Sequence, residues 1–204
     1  MRALIAIWLG LLLLGGCVAA PQSPVAAPVQ HVAEAPYLVQ PERMAAKRVF
    51  AHASPVDLVF IGDSITQNYE KHSANPAENY APIWDRFYGA RRALNLGYGM
   101  DTTGATLWRF DQGELDGIAP KVAVVLIGTN DTNLGRGVSE TFAGVEAVVE
   151  AVHARLPRTR ILLLGILPSA KSAAKSAADA EINAHLATRY AASSFVTFLD
   201  VAPI

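Results

Sequence analysis

From residue 41 onward, short apolar runs alternate with longer amphipathic stretches. Apolar runs predict strands over residues 56–61, 92–96, 121–127, 160–166 and 195–200. Apolar positions at helical spacing predict helices over residues 41–50, 83–88, 102–115, 139–156 and 179–192. The run 121–127, Lys-Val-Ala-Val-Val-Leu-Ile, is aliphatic almost throughout, which is typical of a strand covered on both faces.

Strands that alternate with helices predict an α/β fold with a parallel sheet. About five strands favour a three-layer, flavodoxin-like sandwich. Ser139 is the expected N-cap of its helix, which Pro157 would end. Residues 169–176, rich in Lys, Ser and Ala, are expected to form a solvated loop, or alternatively to line the mouth of a substrate site.

Polar turns follow three of the predicted strands, at residues 62–64, 97–101 and 128–131. In open parallel sheets, ligands bind at the carboxyl ends of the strands. Ser64 would offer a nucleophile there, a glycine-rich turn a backbone N–H, and Asn130 a side-chain amide donor. Two such donors flanking a serine form an oxyanion hole for acyl transfer. The alternative for Ser64 is a turn serine bonded to its own backbone, and Asp63 is expected to stabilise the turn as an acceptor.

These turns resemble the conserved blocks of the SGNH (GDSL) hydrolases over about residues 56–200. The nucleophile, glycine and asparagine blocks correspond to Gly-Asp-Ser-Ile-Thr at 62–66, Asn-Leu-Gly-Tyr-Gly-Met-Asp at 95–101 and Gly-Thr-Asn-Asp at 128–131. Leu-Trp-Arg-Phe at 107–110, followed by Gly-Glu-Leu at 113–115, is most similar to the platelet-activating-factor acetylhydrolase catalytic-subunit branch. The resemblance implies an esterase or acylhydrolase for acyl or acetyl esters. Its nucleophile would be Ser64, with the oxyanion held by main-chain amides at Ser64 and the glycine block (Gly99, Met100) and by the Asn130 side chain.

The sequence departs from the family pattern in two places. Met100 stands where the family has a glycine, although a backbone N–H survives that change. No Asp in the sequence is followed by His three residues later, so the family's Asp-x-x-His block has no counterpart. The resemblance therefore implies an esterase crippled by loss of its Asp–His pair. The alternative is a non-catalytic lipoprotein with a degenerate hydrolase fold that binds glycans or lipids.

The missing block also implies a domain over residues 41–204 that is truncated at its C-terminus, with the final helix absent. The apolar surface left bare predicts self-association. Of the five histidines, His72 is nearest in sequence to Ser64, but it is expected to be a solvated loop residue. His31 falls in a tether, His52 at the wrong edge of the sheet, and the remaining two lie within helices.

Composition excludes several other classes of function. The 17 basic and 18 acidic residues show no basic stripe for a nucleic-acid partner. Gly97-x-Gly99 lacks the third glycine of a dinucleotide loop. No His or Cys pair has metal-ligand spacing. We therefore expect neither a cofactor nor a metal.

The N-terminus has the layout of an export signal. Arg2 precedes an apolar run over residues 3–14, which predicts a signal peptide over residues 1–16. Leu-Gly-Gly-Cys at 14–17 resembles the lipobox of bacterial lipoproteins, so Cys17 would be the lipid attachment site; the alternative is a plain signal peptide with an incidental cysteine. Residues 17–40, rich in Pro and Ala, predict a tether. We expect a lipid-anchored protein on the periplasmic side of the cell envelope.

Overall fold

The protein has a parallel sheet covered mainly on one face. The structure, a computed structural model, describes residues 31–201. Within that range five strands pair in parallel in the order β2-β1-β3-β4-β5, the flavodoxin-like order. Their bounds are β1 (Leu58–Gly62), β2 (Ala93–Gly97), β3 (Val122–Leu126), β4 (Arg160–Leu164) and β5 (Val196–Leu199). The predicted α/β fold is confirmed.

Helices connect these strands as the sequence pattern predicts. They are α1 (Pro41–Ala53), α2 (Ser64–Gln67), α3 (Ala81–Tyr88), α4 (Thr103–Asp111), α5 (Thr129–Asn133), α6 (Val138–Arg155) and α7 (Ala173–Tyr190). Short 3-10 turns occupy Asn68–Glu70, Pro76–Glu78 and Gly89–Arg91. Among residues 31–201, none of the helices is both long enough and apolar enough to cross a membrane.

Alternate strand residues face opposite sides of the sheet, as the two-residue period of a strand requires. On one side, strand residues such as Val59, Ala123 and Leu163 are completely buried. They belong to one core cluster with side chains of α1, α4, α6 and α7, including Met44 and Phe110. This face of the sheet carries the hydrophobic core.

The opposite face of the sheet is only partly covered. Aromatic rings from β1, α3 and the turn after α2 pack there edge to face, with Phe60 5.1 Å from Trp84 and 4.9 Å from Tyr88 between ring centroids. Beside them an apolar groove of about 630 Å³ runs across β1, β3 and β4. We call this the open groove; strand residues lining it are Leu58, Phe60, Val122, Val124, Leu162 and Leu164.

Three local predictions are wrong. Val122 and Val124 of β3 are only half-buried because they line the open groove, so that strand is not covered on both faces. The helix α6 begins at Val138 with Gly137 as its N-cap, which places Ser139 inside the helix. The helix α7 begins six residues before the predicted start, because the Ser172 hydroxyl accepts a hydrogen bond from the backbone N–H of Lys175 at 3.1 Å and caps it.

Residues 31–40, which we call the strap, lie against the domain rather than apart from it. The Glu34 N–H donates to the Gly104 carbonyl at 3.0 Å, and Pro36 is buried. The rest of the predicted N-terminal segment, including the signal peptide and Cys17, lies outside the described residues. The structure thus extends the folded unit ten residues ahead of the predicted boundary at residue 41.

Candidate active site

The three polar turns lie side by side at the carboxyl edge of the sheet. Strand register pairs Gly62, at the end of β1, with Gly97 of β2 on one side and with Leu126 of β3 on the other. The Tyr98 N–H also donates to the Gly62 carbonyl at 3.0 Å. The turn that carries Ser64 is therefore central, with the glycine turn and the asparagine turn on its two sides.

Ser64 is the first residue of α2 and is half-buried. Asp63 precedes it as the N-cap, and its Oδ1 accepts a hydrogen bond from the Ile65 N–H at 2.8 Å. Asp63 thus stabilises the turn, as predicted. Its other oxygen, Oδ2, is buried and unpartnered within residues 31–201. Burial, with smaller contributions from the nearby carboxylates of Asp101 and Asp131, raises the pKa of Asp63 to about 6.

The glycine turn packs directly against α2. A Cβ atom on Gly97 would lie 2.3 Å from the backbone nitrogen of Gln67 and 2.7 Å from the carbonyl carbon of Thr66. Only a residue without a side chain permits this approach. Asn95, which is fully buried, reinforces it: Nδ2 donates to the Thr66 carbonyl at 2.8 Å and Oδ1 accepts from the Gly97 N–H at 2.8 Å.

The two candidate main-chain donors of the glycine turn differ. The Gly99 N–H already donates to Oε1 of Gln67 at 2.5 Å. No hydrogen bond within residues 31–201 engages the Met100 N–H. Met100 has a left-handed backbone with φ of 67°, a conformation that glycine adopts more readily, and its side chain is 47% exposed. The structure therefore favours Met100 over Gly99 as the main-chain oxyanion donor.

Asn130 lies in the short helix α5, where the sequence predicted only a turn. Its side chain is 7% exposed, and Nδ2 donates to the backbone carbonyl of Asp101 at 2.8 Å. An amide nitrogen carries two hydrogens, so one N–H of Asn130 stays available for a ligand. The Asp101 carbonyl thus fixes the orientation of the second candidate oxyanion donor.

A buried ion pair between Arg109 and Asp101 holds the glycine turn in place. Nε and Nη2 of Arg109 donate to the two carboxylate oxygens of Asp101 at 2.6 and 2.8 Å, and both side chains are at most 2% exposed. The guanidinium also lies 3.8 Å from the centroid of the Tyr98 ring. Burial raises the pKa of Asp101, and the Arg109 guanidinium opposes that rise. Arg109, which is 2% exposed, therefore packs inside the protein.

Sequence reasoning did not assign a role to Gln67 or to the Asp101–Arg109 pair. Gln67 stands three residues after Ser64, a spacing that places both residues on the same face of a helix. Asp101 and Arg109 carry opposite charges at a turn and on the apolar helix that follows it. The sequence signal for the pair is the position of Arg109 among the apolar residues Leu107, Trp108 and Phe110, because a buried charge usually has a partner of opposite charge.

Within residues 31–201, no histidine forms a hydrogen bond to the Ser64 hydroxyl. His31 Nε2 is 2.7 Å from Oγ1 of Thr103, and that hydroxyl also donates to the buried Asp131 at 2.6 Å. His72 is exposed, as predicted. His153 stacks on Phe195 with ring centroids 3.8 Å apart. None of these contacts places an imidazole beside the nucleophile.

A cleft of about 540 Å³ opens beside the two candidate oxyanion donors. Met100 and Asn130 line it, whereas Ser64 is not among the lining residues. Its other walls come from the strap, α4, and the segment after α5: Glu34, Ala35, Pro36, Tyr37, Thr102, Ala105, Asn133, Leu134, Arg136 and Lys171. Lys171 belongs to the segment predicted either as a solvated loop or as part of a substrate mouth. In the part of the chain that the structure describes, no group of acidic, His or Cys side chains could hold a metal ion.

The match to a known family covers most of the chain, including all three turns. The model of the GDSL-like lipase/acylhydrolase family matches residues 60–204. The chain belongs to this family. The resemblance drawn from the three sequence blocks is thereby confirmed.

Curated relatives point to the predicted branch of the family. Platelet-activating factor acetylhydrolase IB subunit alpha2 of Gallus gallus is 38% identical over 112 residues, which are 55% of this chain and 44% of that protein. The Homo sapiens protein of the same name is 39% identical over 112 residues with the same shares. The chain thus spans less than half the length of these relatives.

Solved structures share the fold. A protein from Streptococcus pneumonia, described provisionally as a platelet activating factor, superimposes with a TM-score of 0.63 at 26% identity, covering 80% of this chain and 75% of that one. AlinE4, an SGNH-hydrolase family esterase, superimposes with a TM-score of 0.53 at 25% identity, covering 72% of this chain and 76% of that one. These similarities confirm the SGNH hydrolase fold.

Proposed function

We propose that this GDSL-family protein is a serine esterase that hydrolyses acyl or acetyl esters through an acyl-Ser64 intermediate. The observation that carries the proposal is the meeting of three turns at one sheet edge. The turns that carry Ser64, Met100 and Asn130 follow adjacent strands, and the Asn130 amide donates to the carbonyl of Asp101, next to Met100. The names of its relatives, an acetylhydrolase subunit and an esterase, support the same reaction type.

In this mechanism Oγ of Ser64 attacks the ester carbonyl carbon and loses its proton to a base. The carbonyl oxygen becomes an oxyanion held by the amides of Ser64 and Met100 and by Nδ2 of Asn130. Collapse of the tetrahedral adduct expels the alcohol and leaves an acyl-serine. Water then attacks the acyl-serine, releasing the carboxylic acid and restoring the hydroxyl.

The base that accepts the Ser64 proton is the part of this mechanism that the site supports least. Within residues 31–201 no histidine is bonded to Ser64, and in this proposal the proton passes to solvent or buffer. Loss of the histidine of a serine-protease triad lowers kcat on the order of a million-fold, and the oxyanion hole with substrate binding retains about a thousand-fold acceleration over water. We therefore propose that the chain hydrolyses esters slowly, with its oxyanion hole supplying most of the acceleration that remains.

Free imidazole offers a direct test, because it can supply the missing base from solution. Hydrolysis of p-nitrophenyl acetate is measured for the wild-type protein and for Ser64→Ala across a range of imidazole concentrations. The Ser64→Ala protein corrects for hydrolysis by imidazole itself. We expect a wild-type rate above the control that rises with imidazole and then saturates. Equal rates for both proteins at every concentration would remove Ser64 from the mechanism.

A second candidate is a protein that binds esters of glycans or lipids without turning them over. The observation that favours it is the absence, within residues 31–201, of a histidine bonded to Ser64. The same assay separates the two candidates. Ester binding by the wild-type protein, with no Ser64-dependent turnover even in imidazole, would support binding alone.

We propose further that the protein is lipid-anchored at Cys17 on the periplasmic side of a bacterial envelope. The support is the sequence pattern of residues 1–17, which lies outside the described residues. In this arrangement the ester substrate would meet the protein at or near a membrane surface. Cys17→Ser should move the protein from the membrane fraction to the soluble fraction and abolish labelling by a radioactive fatty acid. Unchanged fractionation and labelling would contradict the anchor.

We also propose that copies of the protein self-associate through the open groove. Two side chains of α3 beside it are more than half exposed: Ile83 at 56% and Phe87 at 53%. Parallel sheets are normally covered on both faces, so an open apolar face favours a partner surface.

A further inference from the structure

The strap forms one wall of the cleft that borders the oxyanion donors. Residues Glu34, Ala35, Pro36 and Tyr37 line it together with Met100 and Asn130. A wall at this position would contact whichever part of an ester extends from the carbonyl carbon into the cleft. The composition of the strap therefore bears on which esters fit.

Side-chain contacts hold the first half of the strap in place. The His31 ring is hydrogen-bonded to Thr103 at 2.7 Å, and Nη2 of Arg136 donates to Oε2 of Glu34 at 2.5 Å. Arg136 in turn reaches the buried carboxylate of Asp131 at 3.1 Å. The strap is thus joined to α4 and to the segment that follows Asn130.

The second half of the strap is fixed by the same arginine that supports the site. Nη1 of Arg109 donates to the Val39 carbonyl at 2.7 Å, and Nη2 donates to the Leu38 carbonyl at 2.9 Å. The other bonds of this guanidinium go to Asp101, whose carbonyl holds Asn130. One buried side chain therefore sets the strap and the candidate oxyanion donor relative to each other.

Between these two attachments lies Tyr37, which lines the cleft. Pro36 beside it is buried, whereas Tyr37 is 84% exposed. Of the other lining residues, Met100 is 47% exposed and Leu134 is 66% exposed. Three large side chains with apolar surface thus line the cleft, while Glu34 pairs with Arg136 and Nζ of Lys171 donates to the Asn133 carbonyl at 3.0 Å. This environment suits an apolar chain better than a charged one.

We propose that Tyr37 is a specificity-determining residue, whose ring covers the acyl chain of esters longer than acetate. The proposal rests on the proposed esterase function and names its substrate class: esters of short apolar acids. Each methylene group removed from water strengthens binding about fourfold, so butyrate esters gain up to about fifteenfold over acetate esters. Removing the ring uncovers part of that chain.

Binding to a chain that cannot form the acyl-enzyme tests this proposal separately from turnover. In the Ser64→Ala protein, dissociation constants of p-nitrophenyl acetate and p-nitrophenyl butyrate are measured by NMR titration. We expect the butyrate ester to bind more tightly. Adding Tyr37→Ala should lower the preference for butyrate by about threefold or more. The matched control is Tyr80→Ala, a partly exposed tyrosine on the opposite face of the sheet, which should leave the preference unchanged.

Three results would overturn the proposal. One is an unchanged preference in the Tyr37→Ala protein, another is an equal loss in the Tyr80→Ala protein, and the third is no binding of either ester. Tyr37 is almost fully exposed, so its replacement leaves the folded core intact. If the protein is not an esterase, the wild-type and Ser64→Ala proteins hydrolyse p-nitrophenyl acetate at equal rates. That outcome does not alter the binding measurement.

Discussion

The side-chain amide of Asn130 is hydrogen-bonded to the backbone carbonyl of Asp101 at 2.8 Å. This bond joins the third polar turn to the second and leaves one amide hydrogen of Asn130 for a ligand. Because the acceptor is a main-chain oxygen, the orientation of the amide depends on the conformation of the whole glycine turn. The two candidate oxyanion donors, Met100 and Asn130, are thus coupled through neighbouring residues of one loop.

Replacing Asn130 tests the oxyanion hole. Asn130→Ala removes the donor, and loss of one such donor typically lowers kcat by about 100- to 1000-fold. The measured quantity is the imidazole-stimulated, Ser64-dependent hydrolysis of p-nitrophenyl acetate. Met100→Ala is the control, since it keeps the main-chain N–H, and its rate should stay within about tenfold of wild type. Comparable losses in both variants would contradict the assignment of the amide.

Removing one partner of the buried Asp101–Arg109 pair should destabilise the protein strongly. Arg109→Met leaves a buried carboxylate without its partner, and breaking a buried pair in this way costs about 3–5 kcal/mol. Arg155→Met breaks a more exposed pair with Asp111 and should cost at most about 1 kcal/mol. Urea denaturation of both variants measures the difference. Equal losses would show that the buried pair contributes no more than a surface one.

The raised pKa of Asp63 predicts that the free energy of unfolding falls as the pH rises. Its pKa in the folded protein is about 6, above the ordinary value of 3.8, so the folded state holds the proton more tightly between these values. The stability gained from protonated Asp63 is complete below the ordinary value and is lost as pH rises toward 6. The difference corresponds to about 3 kcal/mol.

The Asp63→Asn variant isolates this effect, because an asparagine oxygen still caps α2. Urea denaturation at pH 4, 5, 6 and 7 should show a shallower pH dependence than in the wild-type protein. Asp101 also has a raised pKa, so part of the wild-type slope should persist. Identical slopes in the two proteins would show that Asp63 does not hold a proton in this range.

Gly97 tests the close packing between the glycine turn and α2. In Gly97→Ala the new Cβ would overlap backbone atoms of α2 at 2.3 and 2.7 Å, so the helix that begins with Ser64 must shift. We expect a loss of about 1–3 kcal/mol in the free energy of unfolding. Gly89→Ala is the matched control, because nothing lies within 4 Å of its added atom and its φ is −55°. An unchanged free energy of unfolding in the Gly97→Ala protein would mean that the glycine turn and α2 are less tightly packed than described.

The open groove predicts a concentration-dependent oligomer. Ile83→Lys places a charge at its edge on a side chain that is 56% exposed, so folding should be unaffected. Sedimentation velocity should show association of the wild-type protein and a shift toward monomer in this variant. Val49→Lys changes an apolar residue of α1 that is 69% exposed and lies outside the groove, and this variant should behave as wild type. A monomeric wild-type protein at all concentrations would end this proposal.

The sheet and the nucleophile, glycine and asparagine turns were predictable because each depends on local patterns. A continuous aliphatic run marks a strand, and a polar turn after it falls at the carboxyl edge whatever the details of packing. For the same reason, the sequence placed Ser64 and Asn130 at one edge. The bounds of the strands differ from the predicted ones by only one or two residues.

Features that depend on distant contacts were missed. The beginning of α7 looked like a solvated loop, because its Lys175 reads as a surface charge; in the fold it is buried and paired with Asp179. The strap looked like a tether, because proline and alanine have no periodic pattern, yet arginines far along the chain bind it. Periodicity likewise could not reveal that one face of β3 is uncovered.

The strap has a practical consequence for handling the protein. Its carbonyl groups at Leu38 and Val39 are acceptors for the otherwise enclosed guanidinium of Arg109. Proteolysis or a deletion that trims the chain back to the first helix would admit water to that cation and remove one side of the cleft in a single cut. An expression boundary chosen from composition alone would therefore yield a protein with an incomplete cleft and a weakened interior.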